Sequence, residues 1–145
     1  MNTPNNYAPP KSEVGDVEIE KAPVDIEGLQ VSASWKAKFR VISKAGGTKL
    51  PRFKELAFGE RMKIGFNVLA FLFGPLYYLA KRMWRKAVVL FALCVAVIAV
   101  LQIALEFFGL GRFANALSYA SGAVFAVRAN IDYYKKMVLN DNGWW

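Results

Sequence analysis

One apolar run constrains the fold of this chain more than any other feature. Residues 87–105 form a run of 19 in which Gln102 is the one polar side chain. As a helix, such a run would reach roughly 28 Å, close to the ~30 Å hydrocarbon thickness of a bilayer. A chain of 145 residues offers too little additional core to cover so apolar a helix in a soluble domain. We therefore predict a transmembrane helix over residues 87–108.

Apolar residues concentrate in the second half of the chain, which predicts a membrane domain with soluble flanks. The first thirty residues lack the apolar core of a cleaved signal peptide, so we expect insertion to depend on internal segments. The predicted parts are an acidic disordered tail (1–31), a basic cytoplasmic helical region (32–63), the membrane domain (64–131) and a cytoplasmic aromatic and basic tail (132–145).

A basic amphipathic helix is predicted within the second of these parts. Ser32 or Ser34 can cap its start, and Gly46 can end it. Its apolar face is formed by Trp35, Phe39 and Ile42. Such a helix lies on an anionic membrane surface or packs on the protein's own membrane-proximal helices. A second short helix is predicted over residues 51–58, because proline is accepted in a first helical turn.

The segment 64–80 is interrupted by Asn67 and by Gly74-Pro75, which break a helix. It could span the membrane, dip in and return, or lie in the interface. With three spans, the basic residues near the membrane, counted from residue 44 onward, divide 7 against 7; with two spans they divide 13 against 1. The positive-inside rule favours the second arrangement. We therefore predict a re-entrant or interfacial segment and cytoplasmic termini.

A second transmembrane helix is predicted over residues 113–127. Glu106, near the far end of the first helix, can reach the lipid headgroups or pair with Arg112, and we favour this interfacial role over a role in transport. Small residues recur every three or four positions on both helices and would let them approach closely, in their own hairpin or in a homo-oligomer. They are Ala92, Ala96 and Ala99 on the first helix, and Ala116, Ser118, Ala120, Gly122, Ala123 and Ala126 on the second.

Catalytic chemistry finds little support in the sequence. Histidine is absent, and the single cysteine, Cys94, lies inside the apolar run. We find no phosphate-binding loop, no metal-ligand cluster and no nucleophile motif, so we expect neither an enzyme nor a bound cofactor.

A basic and aromatic cluster precedes the apolar run, and we interpret it first as a topology determinant. It would also contact anionic lipid headgroups, whereas nucleic-acid contact is the least favoured interpretation because no nucleic-acid-binding fold is recognisable. The cluster comprises Lys81, Arg82, Trp84, Arg85 and Lys86.

Residues 66–91 carry an unusual Gly-Pro within an aromatic run. Together with Tyr77-Tyr78, Met83-Trp84 and a closing Ala129-Asn130 followed by Tyr133-Tyr134, the sequence resembles the DUF2628 family over roughly residues 35–137. The resemblance implies a small bacterial inner-membrane protein whose family has no assigned activity. It does not extend to the acidic tail.

The combined expectation is an all-α membrane protein with two transmembrane helices, a Gly-Pro-broken segment and short cytoplasmic amphipathic helices. The predicted function is a non-enzymatic scaffold or accessory subunit that recruits a protein partner to the cytoplasmic face. The alternative is an oligomeric transporter or channel component. Its polar line would comprise Asn67, Gln102, Glu106, Asn115 and Ser118.

Overall fold

A computed structural model describes residues 25–145, apart from the side chains of Asn115 and Ser118. Within that part the chain forms six α-helices and three short 3-10 turns, and no strand. The α-helices are α1 (Ala33–Lys44), α2 (Phe58–Gly65), α3 (Val68–Phe73), α4 (Pro75–Ala80), α5 (Trp84–Phe107) and α6 (Ala114–Val138). The 3-10 turns are Gly47–Lys49, Phe53–Glu55 and Gly111–Phe113.

The helix α1 is the predicted basic amphipathic helix, and its residues Phe39 and Ile42 are fully buried. Ser32 occupies the N-cap position without a side-chain capping bond. Most of the acidic tail, residues 1–24, lies outside the described part of the chain. Residues 25–31 instead form a turn whose apolar side chains pack against the core.

The helix predicted over residues 51–58 is wrong. That stretch contains a single 3-10 turn, and α2 begins at Phe58. The reason lies in the backbone around Leu56 and Ala57, which is extended. The carboxylate of Glu60 accepts a hydrogen bond from the Ala57 N–H at 3.1 Å, which satisfies a donor at the helix start and fixes that start at Phe58.

The segment between α2 and α5 is a hairpin of two short helices. Asn67 caps α3 by accepting from the Ala70 N–H at 3.1 Å. Gly74 then has φ of 49° and ψ of −121°, a conformation that glycine adopts most readily, and Pro75 begins α4.

This hairpin packs along α6 and returns to the end at which it began. On the way in, the Asn67 N–H donates to the Ala126 carbonyl at 3.0 Å, and Phe71 reaches Gly122. On the way back, the ammonium of Lys136 donates to the Lys81 carbonyl. The hairpin therefore runs from the C-terminal end of α6 to its middle and back.

The helices α5 and α6 pack against each other over buried positions of α5 that include Leu90 and Cys94. Three alanines of α5 that were expected to contact α6 are exposed instead, so that expectation is wrong. They are Ala92, Ala96 and Ala99. The physical reason is that the close approach of α6 is to α3. A Cβ on Gly122 would lie 2.7 Å from the Phe71 carbonyl oxygen, so this small residue of α6 accommodates the backbone of α3.

Within residues 25–145, one helix is long and apolar enough to cross a membrane, namely α5. Only 11% of its most apolar 18-residue window is buried. The helix α6 does not end at residue 127 but continues to Val138, and its last turns carry Tyr133 and Tyr134 into contact with Phe39 of α1. The fold is thus an all-helical assembly in which α1, α2 and the C-terminal half of α6 pack together at one end of the molecule, while α5 packs against α4 and α6.

Candidate functional site

Asn130 lies at the centre of this end of the molecule. Its side chain is completely buried, and both the oxygen and the nitrogen of its amide form hydrogen bonds. Its Oδ1 accepts hydrogen bonds from Asn67 Nδ2 at 3.0 Å and from Lys38 Nζ at 3.3 Å. Its Nδ2 donates to the carbonyls of Ile64 at 3.0 Å and Lys63 at 3.3 Å. One side chain of α6 therefore joins α1, α2 and the start of α3.

Asn67 extends this network into the hairpin, because its Nδ2 also donates to the hydroxyl of Tyr77 at 3.0 Å. With its Oδ1 on the Ala70 N–H, its polar atoms all have partners within the protein. Buried amides without such partners are costly, so the network favours a single arrangement of α3 and α4 against α6. The break in the hairpin is therefore held in place by a polar junction.

A second buried cluster centres on Asp132, one turn of α6 from Arg128. The Tyr78 hydroxyl donates to Asp132 Oδ2 at 2.9 Å, and Arg128 Nε lies 3.5 Å from the same oxygen. Lys86 Nζ lies 3.9 Å from Asp132 Oδ1 and donates to the Asp141 carbonyl at 3.4 Å. Removing the carboxylate would leave the buried Lys86 ammonium without its ionic partner.

Next to these clusters, two lysines share a small polar cavity, which we name the lysine pocket. Its volume is about 160 Å³. It is lined by Ser32, Ser34, Trp35, Lys38, Asn67, Leu69, Tyr77 and Lys81.

Both ammonium groups of the lysine pocket lie against aromatic rings. Lys38 Nζ is 4.6 Å and Lys81 Nζ 5.1 Å from the centre of the Trp35 ring, and Lys81 Nζ is 4.6 Å from the centre of the Tyr133 ring. Burial lowers the pKa of Lys38, and the charge of Lys81 lowers it further. Burial also lowers the pKa of Lys81. The pocket therefore brings two partly buried positive charges together.

The structure separates the basic and aromatic cluster into three groups. Lys81 turns into the lysine pocket, and Lys86 is buried beside Asp132. Arg82, Trp84 and Arg85 are exposed. The guanidinium of Arg85 lies 5.6 Å from the Trp84 ring centre and 5.7 Å from that of Trp144, and these two rings meet edge to face.

The described members of the predicted polar line lie in two different places, and the side chains of Asn115 and Ser118 are outside the described part of the structure. Asn67 lies in the buried junction, whereas Gln102 and Glu106 lie in the last turns of α5. The pairing of Glu106 with Arg112 is wrong, since these two described side chains form no ion pair. The Arg112 guanidinium instead lies 5.0 Å from the centre of the Phe113 ring.

The residues that sequence reasoning missed are Asn130 and Asp132. The available signal was the placement of two polar residues two positions apart in the stretch 123–134, whose other residues, apart from Arg128, are apolar or aromatic. Among residues 25–145, no three His, Cys, Asp or Glu side chains are grouped as metal ligands would be.

Comparison with known proteins supplies the family. No curated protein and no solved structure is detectably similar to the chain. The family described as "Protein of unknown function (DUF2628)" matches residues 18–138, which include every helix described above together with Asn130 and Asp132. The chain therefore belongs to the DUF2628 family.

Proposed function

We propose that this chain is an integral inner-membrane protein of bacteria that acts as a non-enzymatic scaffold or accessory subunit. In this role it recruits a protein partner to the cytoplasmic face of the membrane. The observation that carries the proposal is the exposed apolar surface of α5, 24 residues long, beside a folded basic end of the molecule.

The surface of α5 favours contact with lipid or with another chain. Large apolar side chains are exposed along its whole length, among them Val88, Phe91, Val100 and Ile103. A contiguous apolar surface of this extent is typical of membrane or protein interfaces and would promote aggregation in water. We place α5 across the bilayer, and the first half of α6 back across it.

The polar junction supports the two-span arrangement. Asn130 ties α1 and α2 to the C-terminal half of α6, so the N-terminal helices and the end of α6 share one side of the membrane. The hairpin of α3 and α4 then enters and leaves on that side as a re-entrant segment. Its irregular backbone at Gly74 packs beside Phe125 of α6. A broken helix at membrane depth needs such packing, because its irregular backbone must be buried in protein and not exposed to lipid.

The folded end of the molecule offers a surface for a partner. The connection between α1 and α2 exposes Lys49, Arg52 and Lys54, and an acidic protein surface would complement this basic loop. Because α1 and α2 are fixed to α6 by Asn130, the basic loop has a defined position relative to the membrane segment. A recruiting scaffold needs such a fixed surface more than it needs a reactive group.

The experiment is affinity purification of the chain from membranes in mild detergent, with co-purifying proteins quantified by mass spectrometry. We expect a partner at stoichiometric level. A matched variant with Lys49, Arg52 and Lys54 changed to Glu should lose this partner but still resist alkaline extraction from the membrane. Repeated recovery of the chain alone would count against the scaffold, and alkaline extraction of the unaltered chain would count against the membrane placement.

A further inference from the structure

We propose that the lysine pocket is a binding site for an anionic phospholipid, with the headgroup phosphate between Lys38 and Lys81 and an acyl chain along the exposed face of α3. The inference rests on the membrane placement proposed above. It names a ligand for the membrane-facing side of the molecule, independently of the protein partner.

The first argument is charge. Lys38 and Lys81 flank the same indole ring, and within residues 25–145 no carboxylate forms an ion pair with either. Two partly buried cations that line one cavity are held at a free-energy cost, which a bound anion would offset. Burial lowers the pKa of both lysines, and the charge of Lys81 lowers the pKa of Lys38 further. A phosphate diester carries one negative charge and accepts several charge-assisted hydrogen bonds.

The second argument is preorganisation. Lys38 is held by its hydrogen bond to Asn130, and Lys81 by the rings of Trp35 and Tyr133, so neither ammonium needs much ordering when a ligand binds. Further residues whose side chains carry hydrogen-bond donors line the same cavity, namely Ser32, Ser34, Trp35 and Tyr77.

The third argument identifies the source of the phosphate as a lipid. Leu69 lines the lysine pocket, and it continues into an apolar surface of α3 with Val68 and Leu72, all of them more than half exposed. A soluble phosphate would gain nothing from this surface, whereas the acyl chain of a lipid would cover it. In the proposed topology the pocket also lies at the cytoplasmic headgroup level, where anionic lipids attract basic residues.

The test uses the purified full chain in a neutral detergent, with binding measured by native mass spectrometry. The probes are dioctanoyl phosphatidylglycerol, dioctanoyl phosphatidylcholine and inorganic phosphate. We expect saturable binding of one phosphatidylglycerol, weaker binding of phosphatidylcholine and little binding of inorganic phosphate. Lys38→Gln or Lys81→Gln should weaken phosphatidylglycerol binding about tenfold, the effect of losing one charge-assisted hydrogen bond.

Two controls separate a built site from general attraction to positive charge. Lys36→Gln removes a cation from the same helix outside the lysine pocket, and it should change the affinity by no more than about twofold. Lys38→Arg keeps the charge and should retain most of the binding, provided that circular dichroism shows an unchanged helix content for every variant.

Equal losses from Lys36→Gln and Lys38→Gln would overturn the proposal, since binding would then follow net charge alone. Inorganic phosphate that binds as tightly as phosphatidylglycerol would overturn the lipid assignment. Absence of lipid binding by a chain that still resists alkaline extraction would overturn the site and leave the membrane placement standing.

Discussion

Replacing Asn130 with alanine removes four hydrogen bonds at the point where four helices meet. The Ile64 carbonyl, in a fully buried residue, loses the 3.0 Å bond from Asn130 Nδ2, and Lys38 Nζ loses its 3.3 Å acceptor. Asn67 keeps its bond to Tyr77 and is less affected. One or two buried groups left without partners, together with the small cavity, give an expected loss of about 3–5 kcal/mol in the free energy of unfolding.

The assay is equilibrium unfolding in mixed micelles with increasing sodium dodecyl sulfate, followed by far-ultraviolet circular dichroism. The matched control is Asn142→Ala, which removes the same side chain near the exposed C-terminus, where its Nδ2 bonds the Arg82 carbonyl at 3.3 Å. The control should lose less than about 1 kcal/mol. Equal losses in the free energy of unfolding for Asn130→Ala and Asn142→Ala would refute the claim that the buried amide of Asn130 stabilises the packing of these helices.

A double-mutant cycle sharpens the same prediction. Asn67→Ala and Asn130→Ala remove partners that contact each other at 3.0 Å, so their effects should not add. We expect the double variant to lose about 1 kcal/mol less than the sum of the single losses. Simple additivity would mean that the two amides act independently.

The remaining predictions concern the hairpin contact and the lysine pocket. Gly122→Ala forces a Cβ to 2.7 Å from the Phe71 carbonyl oxygen and should lower the free energy of unfolding by about 1–3 kcal/mol in the same micelle assay. Gly59→Ala meets no atom within 4 Å and should be neutral or stabilising; a destabilisation equal to that of Gly122→Ala would contradict the close approach of α3. Burial lowers the pKa of Lys38 and the charge of Lys81 lowers it further, so Lys81→Gln should raise the pKa of Lys38 in a nuclear magnetic resonance titration of labelled lysines. An unchanged pKa of Lys38 would contradict the claim that the charge of Lys81 acts on the Lys38 ammonium.

The elements that the sequence predicts well are those whose cause is local. The apolar run that became α5 is defined by its own length and composition, and the hairpin divides at Gly74-Pro75, where proline lacks a backbone donor. The start of α1 is also predicted by a local signal, because a serine precedes the amphipathic pattern.

The parts that the sequence did not predict depend on partners distant in the chain. The sequence groups Lys86 with the other residues of the basic and aromatic cluster, and its burial is explained only by Asp132, which is 46 residues later. The predicted last helix ends at residue 127, just before Arg128. In the structure Arg128 lies 3.5 Å from Asp132, one turn further along the same helix, which continues to Val138. Such pairs are invisible to periodicity and composition.

The packing of small residues was mispredicted for a related reason. Spacing alone indicates which residues share a helix face, but not which helix covers that face. The backbone of α3 occupies the surface around Gly122, and Ala92, Ala96 and Ala99 of α5 are left exposed. The break at Gly74-Pro75 indicates that the segment turns back, but not that it packs against α6.

The central claim is that the hairpin of α3 and α4 does not cross the membrane, so the basic loop lies on the side where α5 begins. The direct measurement is labelling of single cysteines in a Cys94→Ala background with a membrane-impermeant maleimide. We predict that Lys49→Cys reacts only in inverted membrane vesicles and that Arg112→Cys reacts in intact cells. Reaction of Lys49→Cys in intact cells would contradict the account.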